Sequence, residues 1–195
     1  QPILNKTDYV TSTISVSNCD SKYVMNNVSA GIRLRGNGSM EAVKKPYRIK
    51  FEQKQSILGL NNNLEAKSWV LLADYYDYSM LRNVSAFYLG NSLLNGKDYY
   101  ASSYQHVNLY IDGIYNGVYL LAEQQQANKG RINIDEPKST ELGTDIGYLL
   151  ELDTYALNEG DYFNLSLEGL KVKDYNGNIV PLSNILVSSS NELYL

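Results

Sequence analysis

The sequence predicts an α+β fold: a mostly antiparallel sheet carrying one long packed helix. Three observations predict it. Several short segments alternate apolar and polar residues with a period of two. Asp-Gly and Asn-Gly pairs punctuate them. One stretch only, after Trp69, shifts to the three-and-four spacing of a helix. Strands joined by tight turns become antiparallel neighbours, and a lone amphipathic helix buries its apolar stripe against their sheet.

The elements follow in order. Ser12 to Asn18 (STISVSN) alternates and is β-branched, so it reads as a strand. Gly31 to Gly36 (GIRLRG) sets Ile32 and Leu34 against Arg33 and Arg35. After a loop, KPYRIKF sets Tyr47, Ile49 and Phe51 against Arg48 and Lys50. Pro46 lacks a ladder donor and belongs at a strand start or edge. Trp69 to Ala73 is a short apolar strand. Asp77 has the chemistry of an N-cap, and Met80, Leu81, Val84, Phe87 and Tyr88 recur at helical spacing, predicting a helix over Tyr78 to Leu94. Val107 to Ile111 pairs with Val118 to Ala122 across a turn region that holds Asp112-Gly113 and Asn116-Gly117. Gln124 to Thr144 is polar and aperiodic. IGYLLELD is a further strand, and LKVKDYNGNIV is a last hairpin. The polar segment after Glu123 is the expected boundary, giving an amino-terminal lobe over 1–123 and a hinge loop with the first strands of a second lobe over 124–195.

Composition narrows the function. The chain has 195 residues, enough for a real core, and a net charge of −4. No long basic run occurs, which argues against a nucleic-acid partner. Cys19 and His106 are the only residues of their kinds, so an intrachain disulfide and a His- or Cys-based metal site are excluded. No apolar run approaches the roughly 18 residues of a membrane span, and the first residues lack the pattern of a signal peptide. Poverty in cysteine fits a cytosolic protein and a secreted bacterial one equally.

The segment RLRGNGSMEAVKKPYRIKF concentrates six basic side chains in this acidic chain: Arg33, Arg35, Lys44, Lys45, Arg48 and Lys50. Glycines let backbone amides approach an anion, Ser39 adds a hydroxyl, and Arg35 adds a fork suited to phosphate or carboxylate. GNG is equally an ordinary hairpin turn, and no Gly-Lys-Ser/Thr follows as in a P-loop. If the strand includes Lys45, it shares the face of Tyr47, Ile49 and Phe51 and needs a partner. Lys44, on the other face, is expected to be solvated. Glu151 and Asp153 share parity and read either as paired carboxylates or as a solvated strand face. His106 reads as a surface or packing residue.

Four segments, in order, resemble the CotH family, the spore-coat-protein-H-type atypical protein kinases: RLRGNGSMEAVKKPYRIKF, SWVLLADYYDYSMLRN, VNLYIDGIYNGVYLLAEQ and IGYLLELD. The resemblance spans about Ser12 to Asp174. It implies the amino-terminal lobe of a distant kinase-like fold, and transfer of phosphate from ATP, with Mg or Mn, to serines of a partner protein. It places the phosphate-covering loop at RLRGNGS, with Arg35, Asn37 and Ser39. It makes Lys45 the lysine on the phosphates, with Lys50 as rival, and sets Glu123 and Gln124 near the adenine. Arg82 and Asn83 match a family motif. The helix after Tyr78 would be the regulatory helix, yet it carries no acid to pair with the lysine.

The family's catalytic and metal-holding acids belong to a Trp-Asp-x-Asp-type segment. Trp69 is the only tryptophan, and nothing after Glu123 resembles that motif, so no catalytic or metal residue is assigned. The expectation is a nucleotide-binding portion that is inactive by itself. A non-catalytic surface or adhesion module on the same fold is the alternative, and an extracellular glycan-binding or structural domain is a third reading. The resemblance implies a secreted, cell-surface or spore-coat location, and composition alone leaves the cytoplasm equally open.

Overall fold

The computed structural model describes residues 2–94, 97 and 99–134, together with strands at 150–152, 162–165, 171–173, 179–181 and 185–189. The chain divides into two compact units: 1–126 with 130–132, and 127–129 with 133–195. The first is built on a six-stranded antiparallel sheet. Its strands are β1 (Val10–Val16), β2 (Met25–Leu34), β3 (Tyr47–Gln55), β4 (Ala66–Leu72), β5 (Tyr104–Ile111) and β6 (Ile114–Glu123), in the order β1-β2-β3-β4-β6-β5. A single turn, α1 (Leu60–Asn63), precedes β4, and the helix α2 (Arg82–Leu94) lies between β4 and β5. Described strands of the second unit are β7 (Leu150–Leu152), β8 (Tyr162–Leu165) and β11 (Ile185–Ser189), paired antiparallel in the order β7-β11-β8. β9 (Lys171–Lys173) pairs with β10 (Ile179–Pro181), as the last hairpin required. Among the described residues no helix is long and apolar enough to cross a membrane.

The α+β, mostly antiparallel expectation is met, and the ladders show how alternation sorts the side chains. Ile32 lies opposite Ile49, Ile49 opposite Trp69, and Trp69 opposite Glu123. Leu34, Tyr47, Leu71 and Leu121 make a second row on the same face. The apolar members of these rows, with Phe51, Ile57 and Tyr119, belong to the buried core. On the other face Arg33 lies opposite Arg48, Arg48 opposite Val70, Val70 opposite Ala122, and Ala122 opposite Tyr104. There Phe87 of α2 meets Tyr104 with ring centroids 5.6 Å apart, and the Asn91 side chain donates to the Ser102 carbonyl at 2.9 Å.

Two turns depart from the expectations. The β5–β6 turn is Asp112-Gly113, with φ of 50° and 77°, as a two-residue hairpin turn demands. Asn116-Gly117 instead makes a bulge: the register jumps from Leu109–Gly117 to Tyr110–Tyr115, and Gly117 takes φ 103°. The helix starts at Arg82, not Tyr78. Met80 sits at φ 55°, a left-handed conformation that helix cannot continue through. Asp77 still serves the helix start across this turn, because its carboxylate accepts from the Arg82 backbone N–H at 2.8 Å. The helix is also less packed than expected. None of its residues is buried, and Tyr88, Leu89 and Leu93, with Leu81 just before it, are exposed.

One polar cluster is enclosed within this unit. Glu123, at the end of β6, and Arg131 form an ion pair of 3.2 Å with both side chains fully buried. The remaining carboxylate capacity is filled by Asn61 Nδ2 at 2.9 Å and the Ser103 backbone N–H at 2.9 Å. The guanidinium also donates to the Ser68 carbonyl and to Gln126, and lies 5.3 Å from the Trp69 ring. Asn61 and Asn62 reach this geometry through left-handed backbone, φ 49° and 54°, which asparagine tolerates better than most residues. Removing one member of a buried pair strands the other charge, at a cost of about 3–5 kcal/mol. Glu123→Ala is expected to lose this much in urea unfolding at neutral pH, while Glu52→Ala on the exposed side of β3 stays near wild type.

Candidate active-site cleft

Arg35 and Ser39 leave the sheet in the β2–β3 loop, and Asp74 to Asn83 leave it after β4. Both departures lie at one end, because Leu34, Tyr47 and Leu71 stand in one row. Between them opens a cleft of about 280 Å³, lined by Arg35, Ser39, Asp74, Tyr75, Arg82 and Asn83 among others. Two sequence motifs separated by some forty residues thus share one concavity.

Each part has a local cause. The Arg35 N–H donates to the Pro46 carbonyl at 3.2 Å, which extends the ladder one step beyond β2. Gly36 then turns at φ 89°, and a Cβ there would lie 2.2 Å from Ser39 Oγ, so only glycine lets the serine sit where it does. A short 3₁₀ turn over Gly38–Glu41 closes the loop. Across the cleft, Asp77 accepts from the Ser79 hydroxyl at 2.6 Å, the Ser79 N–H at 3.1 Å and the Arg82 N–H at 2.8 Å. The Ser79 side-chain bond, followed by that of the Arg82 backbone, holds its carboxyl below the usual value. Asn83 donates to Asp74 Oδ1, and Asp74 Oδ2 is buried without a hydrogen-bond partner among the described residues.

The Arg35 guanidinium makes no hydrogen bond or ion pair among the described residues. Burial, with Arg48 and then Arg33 nearby, lowers its affinity for its proton. Arg82 is 80 % exposed at the side chain and pairs with Asp77 only at 3.9 Å, a weak, solvent-screened contact that leaves most of its donors for a ligand.

The other expected residues lie elsewhere. Asn37 is exposed, and its side chain accepts from Lys6 Nζ at 2.7 Å. Lys45 precedes β3, so strand parity does not govern it; its ammonium donates to the Met40 carbonyl of the same loop at 2.6 Å. Lys50 is exposed on β3. Lys44, expected in solvent, instead crosses to the Ala73 and Val118 carbonyls at 2.6 and 2.5 Å and lies 4.5 Å from the Tyr119 ring. The loop before Pro46 turns it inward, where burial lowers its pKa against the raising effect of Asp74. Glu123 spends its carboxylate on Arg131, Asn61 and Ser103. His106 is exposed on β5, Glu151 falls in β7, and Asp153 lies outside the described residues. A second concavity, about 810 Å³, is walled by Asn61, Asn91, Tyr99, Tyr100 and Arg131. None of the expected phosphate-loop residues faces it.

Sequence reasoning missed Arg131, Asn61 and Asp74. Arg131 sits in an aperiodic polar stretch where nothing distinguishes a buried arginine from a surface one. Asp74 follows the end of β4 with left-handed backbone, φ 48°, which strand alternation does not foretell.

The Asp77 turn yields a pH test. Its folded pKa is lowered, so the stability it lends is fully present above the unfolded value, 3.8, and is lost as pH falls through the folded value. Helical circular dichroism is expected to decline in that acidic window. Asp77→Asn should remove this part of the pH dependence, because its side chain does not titrate.

No curated protein matched the chain. The family described as CotH kinase protein matches residues 32–190, which takes in both walls of the cleft and most of the chain, and this protein therefore belongs to the CotH family.

Proposed function

We propose that this chain is the nucleotide-holding portion of a CotH-type protein kinase, which transfers phosphate from ATP to serines of a partner protein. One observation carries the reading. The unpartnered, partly buried Arg35 guanidinium opens on the cleft where the β2–β3 loop meets the Arg82-Asn83 helix start. A desolvated guanidinium without a protein acceptor suits a phosphate oxygen. Family membership supports the same reading, since the matched residues 32–190 include both walls of the cleft.

In that arrangement the β2–β3 loop covers the phosphates. Arg35 and Arg82 neutralise them from two sides, and Ser39 supplies a hydroxyl. Lys45 stiffens the loop through the Met40 carbonyl. Arginine thus takes the part that a strand lysine plays in ordinary kinases. Bound ATP would supply the phosphoryl group. The residues fit its phosphates, but the cleft's acids do not make a cage for its metal. Asp77 is committed to Ser79 and Arg82, and Asp74 offers a single open oxygen. Among the described residues no three His, Cys, Asp or Glu side chains converge.

Two measurements test this. ATP binding by calorimetry should be weak, on the order of millimolar, and Arg35→Gln should weaken it about tenfold through loss of a charge-assisted contact. Radiolabel transfer to a serine-rich protein should be absent for these 195 residues and present for a longer chain that supplies the carboxylates. Transfer by the 195 residues alone would overturn the assignment of roles. Unchanged ATP binding in Arg35→Gln would overturn the phosphate site.

A further inference from the structure

The sheet face that carries α2 holds a row of cations that forms no ion pair among the described residues, although exposed Glu52 lies further along β3 on the same face. Arg33 and Arg48 are direct cross-strand partners, and Arg35 continues the parity of Arg33 one step beyond β2. Like charges placed opposite one another in a sheet are destabilising. Among the described residues the two ion pairs are Arg82–Asp77 and Arg131–Glu123, so no carboxylate reaches this row. The Nε atoms of Arg33 and Arg48 are buried and have no hydrogen-bond partner among the described residues. What these arginines do touch is neutral. Arg33 lies 5.0 Å from the Tyr9 ring, and Arg48 donates to the Ser68 hydroxyl at 3.3 Å. Tyr9 packs so closely over Gly31 that a Cβ there would lie 2.9 Å from it. Burial is the largest influence on Arg48, and Arg33 and Arg131 oppose its charge further while Tyr9 favours it. Lys50, also on this face, extends the row past Tyr9 at 5.7 Å.

Partly buried charge of one sign, with orphaned donors, calls for a counter-ion. We propose that Arg33, Arg35 and Arg48 form one oxyanion-binding row for a linear polyphosphate, entered from the cleft at Arg35. The spacing selects the ligand. Positions two apart on a strand lie about 7 Å from each other, too far for one phosphate to span squarely and suited to a chain of three phosphoryl groups. Arg35 is shared with the nucleotide reading and the proposal rests on it there; Arg33 and Arg48 are new to it. Free polyphosphate and the triphosphate of a nucleotide offer the same chemistry to this row.

The test uses thermal unfolding and calorimetry on the 195-residue chain at fixed ionic strength. Sodium tripolyphosphate, orthophosphate and ATP are the probes. Tripolyphosphate should raise the melting temperature more than orthophosphate does. Arg33→Gln should bind tripolyphosphate about tenfold more weakly, the loss of one charge-assisted contact. It should also keep or raise the ligand-free melting temperature, since one like charge is gone. Arg33→Lys retains charge without the fork and should fall between. Lys54→Gln, on an exposed stretch of β3, should match wild type. A lower ligand-free melting temperature with unchanged tripolyphosphate affinity in Arg33→Gln and Arg48→Gln would make the arginines structural and overturn the row. If ATP binds wild type and Arg33→Gln equally, the row fails and the nucleotide reading stands. If tripolyphosphate binds and ATP does not, with loss on Arg33→Gln, the row stands and the nucleotide reading fails.

Discussion

The buried pair of Glu123 and Arg131 is the constraint on which this end of the sheet depends. Neither charge reaches solvent, so every remaining donor and acceptor must be met from within. That requirement fixes three segments at once. It draws the left-handed Asn61 turn onto the carboxylate and holds the start of β5 through the Ser103 N–H. It also seats Arg131 on Trp69, the most enclosed large side chain. The Ser102 hydroxyl, accepting from the Glu123 N–H at 3.1 Å, closes the set. A hydrophobic substitute would pack there but would leave the turn and the β5 start without a reason to meet.

The sheet is asymmetric in a second way. One face is apolar from β2 to β6 and supplies the core. The other begins apolar at Val70, Leu120 and Ala122 and becomes cationic across β2 and β3. α2 meets the apolar part through Phe87 and Tyr104 and leaves its own apolar residues exposed. Stability comes from the first face. The second holds charge at a cost, and such a cost persists in a protein when the charge serves a ligand.

Alternation was the legible part of this sequence. IRLR and YRIK announce both the strands and the sides on which their arginines stand, and Asp112-Gly113 announces its turn. Asn116-Gly117 looks identical to a turn and is a bulge, because one hairpin needs only one reversal and the second glycine absorbs the extra residue. The helix start moved to Arg82 because a single left-handed residue, Met80, is invisible to periodicity. Lys44 and Lys45 precede β3, so the parity that set Lys44 in solvent and Lys45 on the core side did not apply, and backbone carbonyls captured both ammonium groups. Arg35 and Ser39 were legible as a pair because glycine chemistry is local. Arg131 was not, because its partners come from residues 68, 123 and 126.

Register explains why the cleft exists where it does. Leu34, Tyr47 and Leu71 stand in one row, so the chain leaving β2, the chain entering β3 and the chain leaving β4 emerge side by side. The serine of one loop and the arginine of the next helix then need no long-range device to meet. The same register decides the sign of the site. Slipping β2 by one residue against β3 would turn Arg33 and Arg35 into the core and send Ile32 and Leu34 outward. Burying two guanidiniums among Tyr47, Trp69 and Leu71 would cost far more than any turn energy could return. The hydrophobic face therefore holds the arginines in place without touching them. A cationic row without ion pairs keeps its place because its strands are pinned from the opposite side.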